Sequence, residues 1–179
     1  MTEEITPLEI PAVTLDKSKL DYNNKTSLWY LNEKQFSGYA VTYFQDSMLM
    51  QKIGILDGKK QNIATDWYPD GEVKHSANYH LGKLQGEKKS WSPDSTHILI
   101  SHLNYHLGKA HGVQKKWYST GEIFKILNLE MGKEEGIQQA FRKNGDLFAN
   151  YEARDGRIFG LKRAALCFGL EDQKIQYSK

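Results

Sequence analysis

The sequence predicts an all-β protein, an elongated and twisted antiparallel sheet built from consecutive β-hairpin repeats of about 24 residues. Three observations support this fold. Glycines recur at a fixed period, an aromatic residue follows at a fixed distance, and the runs between them alternate apolar and polar side chains as strands do. The glycine spacing leaves no uninterrupted helical pattern, so each repeat is interpreted as one hairpin.

The glycine period defines the units. They start near residues 38, 62, 86, 112 and 136, with a C-terminal cap predicted from residue 160, and each leading residue is glycine except Asn62. Two further glycine positions recur inside the units, and of the 15 glycines only Gly54 falls outside the three positions. The glycines expected to form structural turns are Gly71, Gly82, Gly86, Gly108, Gly112, Gly121, Gly132, Gly136, Gly145, Gly156 and Gly160.

The first turn of each unit sets the strand register. Residues 69–71 (Pro-Asp-Gly) are typical of a three-residue hairpin loop with glycine in the left-handed position of a bulge. Such a loop places Trp67 opposite Val73, an apolar pair, whereas a two-residue turn would place a lysine there. The third unit is two residues longer and has Ser95 where the others have glycine, which predicts a wider loop.

Composition excludes several classes of function. The 179 residues include 24 Lys+Arg, 22 Asp+Glu and one cysteine, so an intrachain disulfide, a cysteine zinc cage and a strongly basic nucleic-acid surface are not expected. No apolar run is long enough for a membrane-spanning helix. The N-terminus lacks a secretory signal, which leaves a cytoplasmic protein or one exported after removal of a leader.

The recurring aromatics and a modest basic stretch are the candidate binding residues. Packing within the repeat is the first role expected for the aromatics, but a single-layer sheet cannot hide a face unless something covers it. That cover could be curvature, the N-terminal segment, a second copy or a partner. The candidate partner-binding residues are Trp67, Tyr68, Trp91, Trp117, Tyr118, Lys88, Lys89, Lys115 and Lys116.

Neither a metal site nor catalysis is predicted. A metal would need three or four converging ligands, and the six histidines are expected to be solvated residues of strands and turns: His75, His80, His97, His102, His106 and His111. Cys167 lies among apolar residues and is expected to be a small buried hydrophobe, and no serine lies in a nucleophile elbow. We therefore expect no enzyme activity and no cofactor.

The repeat region is flanked by two different segments. Residues 1–25 form an acidic N-terminal arm that contains Pro7 and Pro11, and this arm either docks on the sheet through Val13, Leu15 and Leu20 or is a mobile leader. The repeat domain is predicted over residues 26–170, and residues 171–179 are a tail.

The repeat resembles a known family. Residues 81–86 (Leu-Gly-Lys-Leu-Gln-Gly), 71–74 (Gly-Glu-Val-Lys) and 121–124 (Gly-Glu-Ile-Phe) are similar to the signature of the MORN-repeat variant family, especially its bacterial YwqK-type antitoxin-like members. Residues 28–38 resemble the opening half-unit of such proteins, and residues 141–167 resemble the closing one. The resemblance covers about residues 26–170.

The resemblance implies a non-catalytic binding surface, which leads to three hypotheses. The first is a protein-binding module, with toxin neutralisation or immunity as the use implied by the YwqK-type members. The second is a peripheral membrane module that binds anionic lipid through Lys88, Lys89, Lys115 and Lys116. The third is a self-associating scaffold. No nucleic acid is expected as a partner.

Overall fold

The computed structural model of the protein describes residues 8–161. Over these residues the chain forms 17 strands and one short 3-10 helix, in the order β1 (Thr14–Asp16), η1 (Lys17–Lys19), β2 (Asp21–Asn23), β3 (Leu28–Leu31), β4 (Lys34–Gln35), β5 (Gly38–Tyr43), β6 (Leu49–Leu56), β7 (Lys59–Trp67), β8 (Val73–His80), β9 (Lys83–Trp91), β10 (Leu99–His106), β11 (Lys109–Ala110), β12 (Gly112–Trp117), β13 (Ile123–Glu130), β14 (Lys133–Glu134), β15 (Gly136–Phe141), β16 (Leu147–Arg154) and β17 (Arg157–Leu161).

The strands form one long sheet and one small one. The long sheet has 14 strands in the order β1-β5-β6-β7-β8-β9-β10-β12-β13-β15-β16-β17, with the two-residue strands β11 and β14 paired to β10 and β13. Each strand from β5 onward pairs antiparallel with its neighbour, while β1 joins the edge parallel to β5. The small sheet is β2-β3-β4. The prediction of an all-β fold of consecutive hairpins is confirmed.

The register at the first turns agrees with the sequence prediction. Trp67 lies opposite Val73 and Trp117 lies opposite Ile123, each beside a register shift of one residue. In the second unit the Tyr68 N–H donates to the Glu72 carbonyl at 2.8 Å. The glycine of this loop, Gly71, has φ of +88°. The loop therefore has three residues, with a left-handed glycine at its end.

The third unit has the wider loop that its length predicts, but its left-handed residue is not the one that the alignment indicated. Trp91 pairs with Leu99, and residues 92–98 form the loop between them. His97 takes φ of +42° and its N–H donates to the Asp94 carbonyl at 3.1 Å. The alignment of Ser95 with the loop glycines is therefore wrong, because the two inserted residues move the turn toward the C-terminus.

The second turns stack on one another through backbone hydrogen bonds. In four successive turns the glycine N–H donates to a carbonyl of the preceding turn at 2.7–2.8 Å; these glycines are Gly58, Gly82, Gly108 and Gly132. The side chain just before each leading position accepts a further bond from the residue before that glycine. The four acceptors are Ser37, Gln61, Gln85 and His111, at 2.8, 2.9, 2.8 and 3.4 Å. Each repeat is thereby tied to the next at this edge.

Two buried glutamines, Gln114 and Gln138, use their side-chain amides to hydrogen-bond the backbone of the neighbouring strand. The side-chain oxygen of Gln138 accepts from the Asn128 N–H at 3.0 Å, and its amide nitrogen donates to the Asn128 carbonyl at 2.7 Å. Gln114 makes the same two bonds with Asn104, at 3.0 and 2.9 Å. The glutamine amide mimics a backbone peptide and bonds both backbone groups of the asparagine. The same carbonyls also accept from a backbone N–H, that of Glu135 for Asn128 and that of His111 for Asn104, at 3.0 and 2.9 Å.

The described part of the acidic arm, residues 8–25, wraps around the first edge of the sheet. β1 runs along β5, where the Tyr39 N–H donates to the Val13 carbonyl at 2.7 Å. After η1, the small sheet packs on strands β5 to β7 and closes a hydrophobic core. Its fully packed members are Leu20, Phe36, Ala40, Ile53 and Ile55, with Leu15, Trp29, Leu31 and Ala64 against them.

Gly54, the one glycine outside the repeat pattern, makes room for this arm. A Cβ at Gly54 would lie 2.4 Å from the Gln61 carbonyl oxygen and 2.5 Å from Cδ1 of Ile10. The backbone of Leu8 is also held there, because its carbonyl accepts from the Asn62 side chain at 3.1 Å. The arm therefore requires a residue without a side chain at this position.

Gly54→Ala is expected to lower the free energy of unfolding by about 1–3 kcal/mol, because the new methyl group overpacks the contact. Urea denaturation of Gly54→Ala, Ile10→Ala and the double variant measures the effect as a double-mutant cycle. A coupling energy of about 0.5 kcal/mol or more is expected between the two sites. Strictly additive effects would contradict the packing of Ile10 on Gly54.

Several predicted segments lie outside the described residues. The cap predicted from residue 160 is described only as far as residue 161. Cys167, the tail at residues 171–179 and residues 1–7 of the arm are among the residues not described.

Candidate functional site

The long sheet has two faces, which the cross-strand pairs define, since directly opposed residues share a face and successive residues alternate. Face 1 carries the row Ala40, Ile53, Ala64, Ala77, Lys88 and Leu103. Face 2 carries the row Val41, Lys52, Thr65, Ser76, Lys89 and His102. Face 1 is the face on which the small sheet packs at the first end.

The structure does not bring the nine candidate binding residues together on one surface. Strand alternation places one set on face 1 and the other on face 2. The face 1 set is Tyr68, Tyr118, Lys88 and Lys116, and the face 2 set is Trp67, Trp91, Trp117, Lys89 and Lys115.

The aromatic column is half-buried rather than a closed core. Trp67, Trp91 and Trp117 all have intermediate exposure, and each lies opposite an aliphatic residue. The two tyrosines link repeats. The Tyr68 hydroxyl donates to the Trp91 carbonyl at 2.9 Å, and the Tyr118 hydroxyl donates to the Phe141 carbonyl at the same distance. Their hydroxyl groups therefore have a structural role.

Some of the charges on face 2 are paired within the protein. Glu87 accepts from Lys89 at 2.6 Å and contacts Nε2 of His102 at 2.9 Å. The hydrogen bond from Lys89 is the main reason why the pKa of Glu87 lies below its usual value. Farther along the same face, Arg154 contacts Glu152. These contacts neutralise part of the charge on face 2, while Lys52 and Lys115 on the same face have no ion-pair partner among residues 8–161.

Charges on face 1 are not paired in this way. Lys60, Lys88, Lys116 and Lys125 lie on this face, and none has an ion-pair partner among residues 8–161. Burial, followed by the charges of Lys17 and Lys88, lowers the pKa of Lys60, whose ammonium lies 4.9 Å from the Tyr79 ring centre.

Two carboxylates on face 1, those of Asp66 and Glu134, accept hydrogen bonds from neutral side chains. Asp66 accepts from Gln51 at 2.6 Å. Glu134 accepts from the Tyr151 hydroxyl at 2.8 Å, and burial together with this bond raises the pKa of Tyr151 to about 12. The open grooves on this face include one of about 630 Å³ beside the small sheet, with Trp29 and Tyr68, and one of about 220 Å³ with Tyr79 and Lys88. Another, of about 260 Å³, includes Lys125 and Glu134.

The histidines do not converge on one site, although the His106 and His111 rings contact each other with centres 5.8 Å apart. His97 pairs with Asp70 at 2.8 Å and lies against the Tyr68 ring at 5.3 Å. His75 contacts the Ser90 hydroxyl at 3.0 Å, but no side chain among residues 8–161 bonds its other ring nitrogen. Over this part of the chain no three His, Cys, Asp or Glu side chains are placed to share a metal ion.

The edge formed by the second turns carries a feature that the sequence reading missed. Leu81, Leu107 and Met131 have φ of +48°, +50° and +48°, a conformation that bulky residues rarely adopt. Their exposed fractions are 47%, 47% and 37%. Two residues after each one comes an exposed lysine, and these lysines are Lys83, Lys109 and Lys133. The middle of this edge therefore carries three exposed apolar side chains at the tips of the turns, each followed by an exposed lysine.

No helix in the described part of the chain is long and apolar enough to cross a membrane. The chain matches no family model, and no curated protein or solved structure is significantly similar to it.

Proposed function

We propose that the protein is a non-catalytic binding module that captures another protein on face 1 of its hairpin sheet. One observation carries the proposal. The small sheet covers face 1 only over β5 to β7, and none of the other described elements lies over the same face of the later strands. The face 1 residues of these strands accordingly have intermediate exposure, among them Leu103 and Tyr105 in β10 and Leu127 and Leu129 in β13.

The uncovered part of face 1 has the composition of an interface. Tyrosine and aliphatic side chains recur there at the repeat period; they are Tyr79, Leu103, Tyr105, Leu127 and Leu129. Aromatic residues surrounded by polar groups are enriched at protein interfaces. The similarity of the repeat to YwqK-type antitoxin-like proteins makes a toxin the kind of partner that we propose.

The test is to purify the tagged protein from its native cells, identify a stoichiometric partner and rebuild the complex from pure components. We expect that Tyr105→Ala on face 1 weakens this complex at least about tenfold, as hot-spot residues do. Ile63→Ala, an exposed control on face 2, should leave affinity unchanged. The absence of any stoichiometric partner, or equal effects of the two variants, would contradict the proposal.

A second candidate function, binding to an anionic membrane surface, is favoured by the second-turn edge. The four lysines that the sequence indicated for this role lie on two faces, whereas the tips and lysines of the turns share one edge. Strained, solvent-exposed apolar residues are typical of functional sites. Apolar residues flanked by cations suit a lipid headgroup region.

Replacing Leu81, Leu107 and Met131 together by Asn separates this function from stability. Asn tolerates the left-handed backbone, so the triple variant should be at least as stable as the parent. If the edge binds lipid, the parent sediments with phosphatidylserine vesicles at low salt and the variant does not. A parent that stays in the supernatant at low salt, or a variant that sediments equally, would exclude this function.

A further inference from the structure

We propose that Lys116 and Lys125 on face 1 form a subsite for a carboxylate of an acidic segment of a protein partner. The inference rests on the proposed function and names the chemistry of that partner. Lys116 in β12 and Lys125 in β13 are directly opposed cross-strand residues. Two like charges at such positions destabilise a sheet, since their Cβ atoms are only about 5 Å apart.

Neither lysine has an ion-pair partner among residues 8–161, and Glu134, which lines the same groove as Lys125, accepts from the Tyr151 hydroxyl instead, at 2.8 Å. The next residues in the same row are Ser101, opposite Lys116, and Ala140, opposite Lys125. Neither carries a charge. The repulsion between the two lysines lowers the stability of the free protein. A bound anion would attract both lysines, so their charges would then stabilise the complex.

Face 2 of the preceding strands β9 and β10 contains cations that are paired within the protein. There Glu87 lies between Lys89 and His102 and contacts both, at 2.6 and 2.9 Å. Lys52 and Lys115 on face 2 also have no ion-pair partner among residues 8–161, but neither lies opposite another lysine. The directly opposed pair of Lys116 and Lys125 is therefore what distinguishes the subsite on face 1.

The surroundings of the lysine pair favour an acidic segment that also carries apolar or aromatic residues. The Lys125 ammonium lies 4.8 Å from the Phe124 ring centre, and Phe124 contacts Tyr118 with ring centres 5.0 Å apart. Lys143 lies 5.7 Å from the Tyr118 ring centre. An aromatic platform with cations around it suits alternating carboxylates and apolar side chains.

The nearby carboxylate of Glu122 does not replace this ligand. A hydrogen bond from Thr120 is the largest cause of its lowered pKa, and Lys143 makes a smaller contribution. Glu122 therefore interacts with its own loop and with Lys143, and it makes no ion pair with either lysine of the subsite.

The first experiment measures binding of a short fluorescein-labelled peptide of alternating Glu and Tyr residues by fluorescence anisotropy at low salt. The double variant Lys116→Gln/Lys125→Gln should reduce affinity about tenfold, because it removes both cations that contact the carboxylate. The matched control is Lys52→Gln/Lys115→Gln, which removes the same net charge from face 2 and should change affinity less than about twofold. Equal losses in both variants, or no binding by the parent, would overturn the subsite.

The second experiment measures thermal stability and peptide binding of one variant, and the two should change in opposite directions. A purely structural role for Lys125 would instead lower the stability of this variant. Lys125→Glu replaces a like-charge pair by an opposite-charge pair, so the midpoint of thermal unfolding should rise by a few degrees. The same variant should abolish peptide binding. A lower midpoint, or peptide binding that persists, would contradict the inference.

The partner captured from native cells distinguishes failure of the subsite from failure of the proposed function. If the parent and Lys116→Gln/Lys125→Gln bind that partner equally, the subsite is wrong and the protein-binding function stands. If the parent captures no partner and binds no peptide, the proposed function itself fails. If the double variant loses binding to phosphatidylserine vesicles and not to the peptide, the subsite serves a lipid and the inference is overturned.

Discussion

Ile55→Ala is expected to lower the free energy of unfolding by about 3 kcal/mol, which is the usual cost of removing a fully buried aliphatic side chain. Ile55 is 0% exposed and belongs to the core between the long sheet and the N-terminal elements. Leu20, Phe36 and Ile53 belong to the same cluster, so truncation of the Ile55 side chain leaves a cavity among them.

Ile63→Ala is the matched control. Ile63 lies in the adjacent strand β7 but on face 2, and it is 56% exposed, so its loss should change stability by less than about 0.5 kcal/mol. Urea denaturation followed by tryptophan fluorescence measures both variants. Equal losses would mean that the core does not lie where the N-terminal elements cover the sheet.

The second large effect is expected at Gln138, which is 0% exposed. Gln138→Leu keeps the volume but removes both hydrogen bonds to the Asn128 backbone. The Asn128 N–H then loses this partner, while the Asn128 carbonyl keeps the bond from the Glu135 N–H at 3.0 Å. Because an unsatisfied buried group costs about 1–3 kcal/mol, we expect the free energy of unfolding to fall by about 1–3 kcal/mol. The strands around Gln138 contain few other fully buried side chains, so the loss should be large relative to local stability.

Gln139→Leu tests whether this effect comes from the buried amide. Gln139 is the next residue of β15, lies on face 2 and has intermediate exposure. Its variant should change the free energy of unfolding by less than about 0.5 kcal/mol. Equal effects of the two substitutions in urea denaturation would show that the Gln138 amide does not serve as a strand partner.

The repeat, the hairpin order and the first-turn register were predictable from the sequence because each depends on local chemistry. A left-handed backbone selects glycine at Gly71, and alternation then sets Trp67 against Val73. The same alternation separates Lys88 from Lys89, a signal that was present in the sequence and that assigns the two lysines to opposite faces.

The remaining features depend on contacts between distant segments or on positions whose residue type changes. The packing of Ile10 on Gly54 joins residues that no repeat relates. The acceptors at the stacked turns vary among Ser, Gln and His while they make the same bond, so their common role does not appear in the residue type. The insertion in the third unit fixed the length of its loop but left the position of its left-handed residue undetermined.

Photo-cross-linking from β10 tests the proposed binding face most directly. Leu103 and His102 are neighbours on this strand, and they belong to face 1 and face 2 respectively. A photoreactive amino acid placed at position 103 in native cells should cross-link one partner protein in high yield, whereas the same amino acid at position 102 should not. Cross-linking from position 102 alone, or equally from both positions, would contradict the assignment of partner binding to face 1.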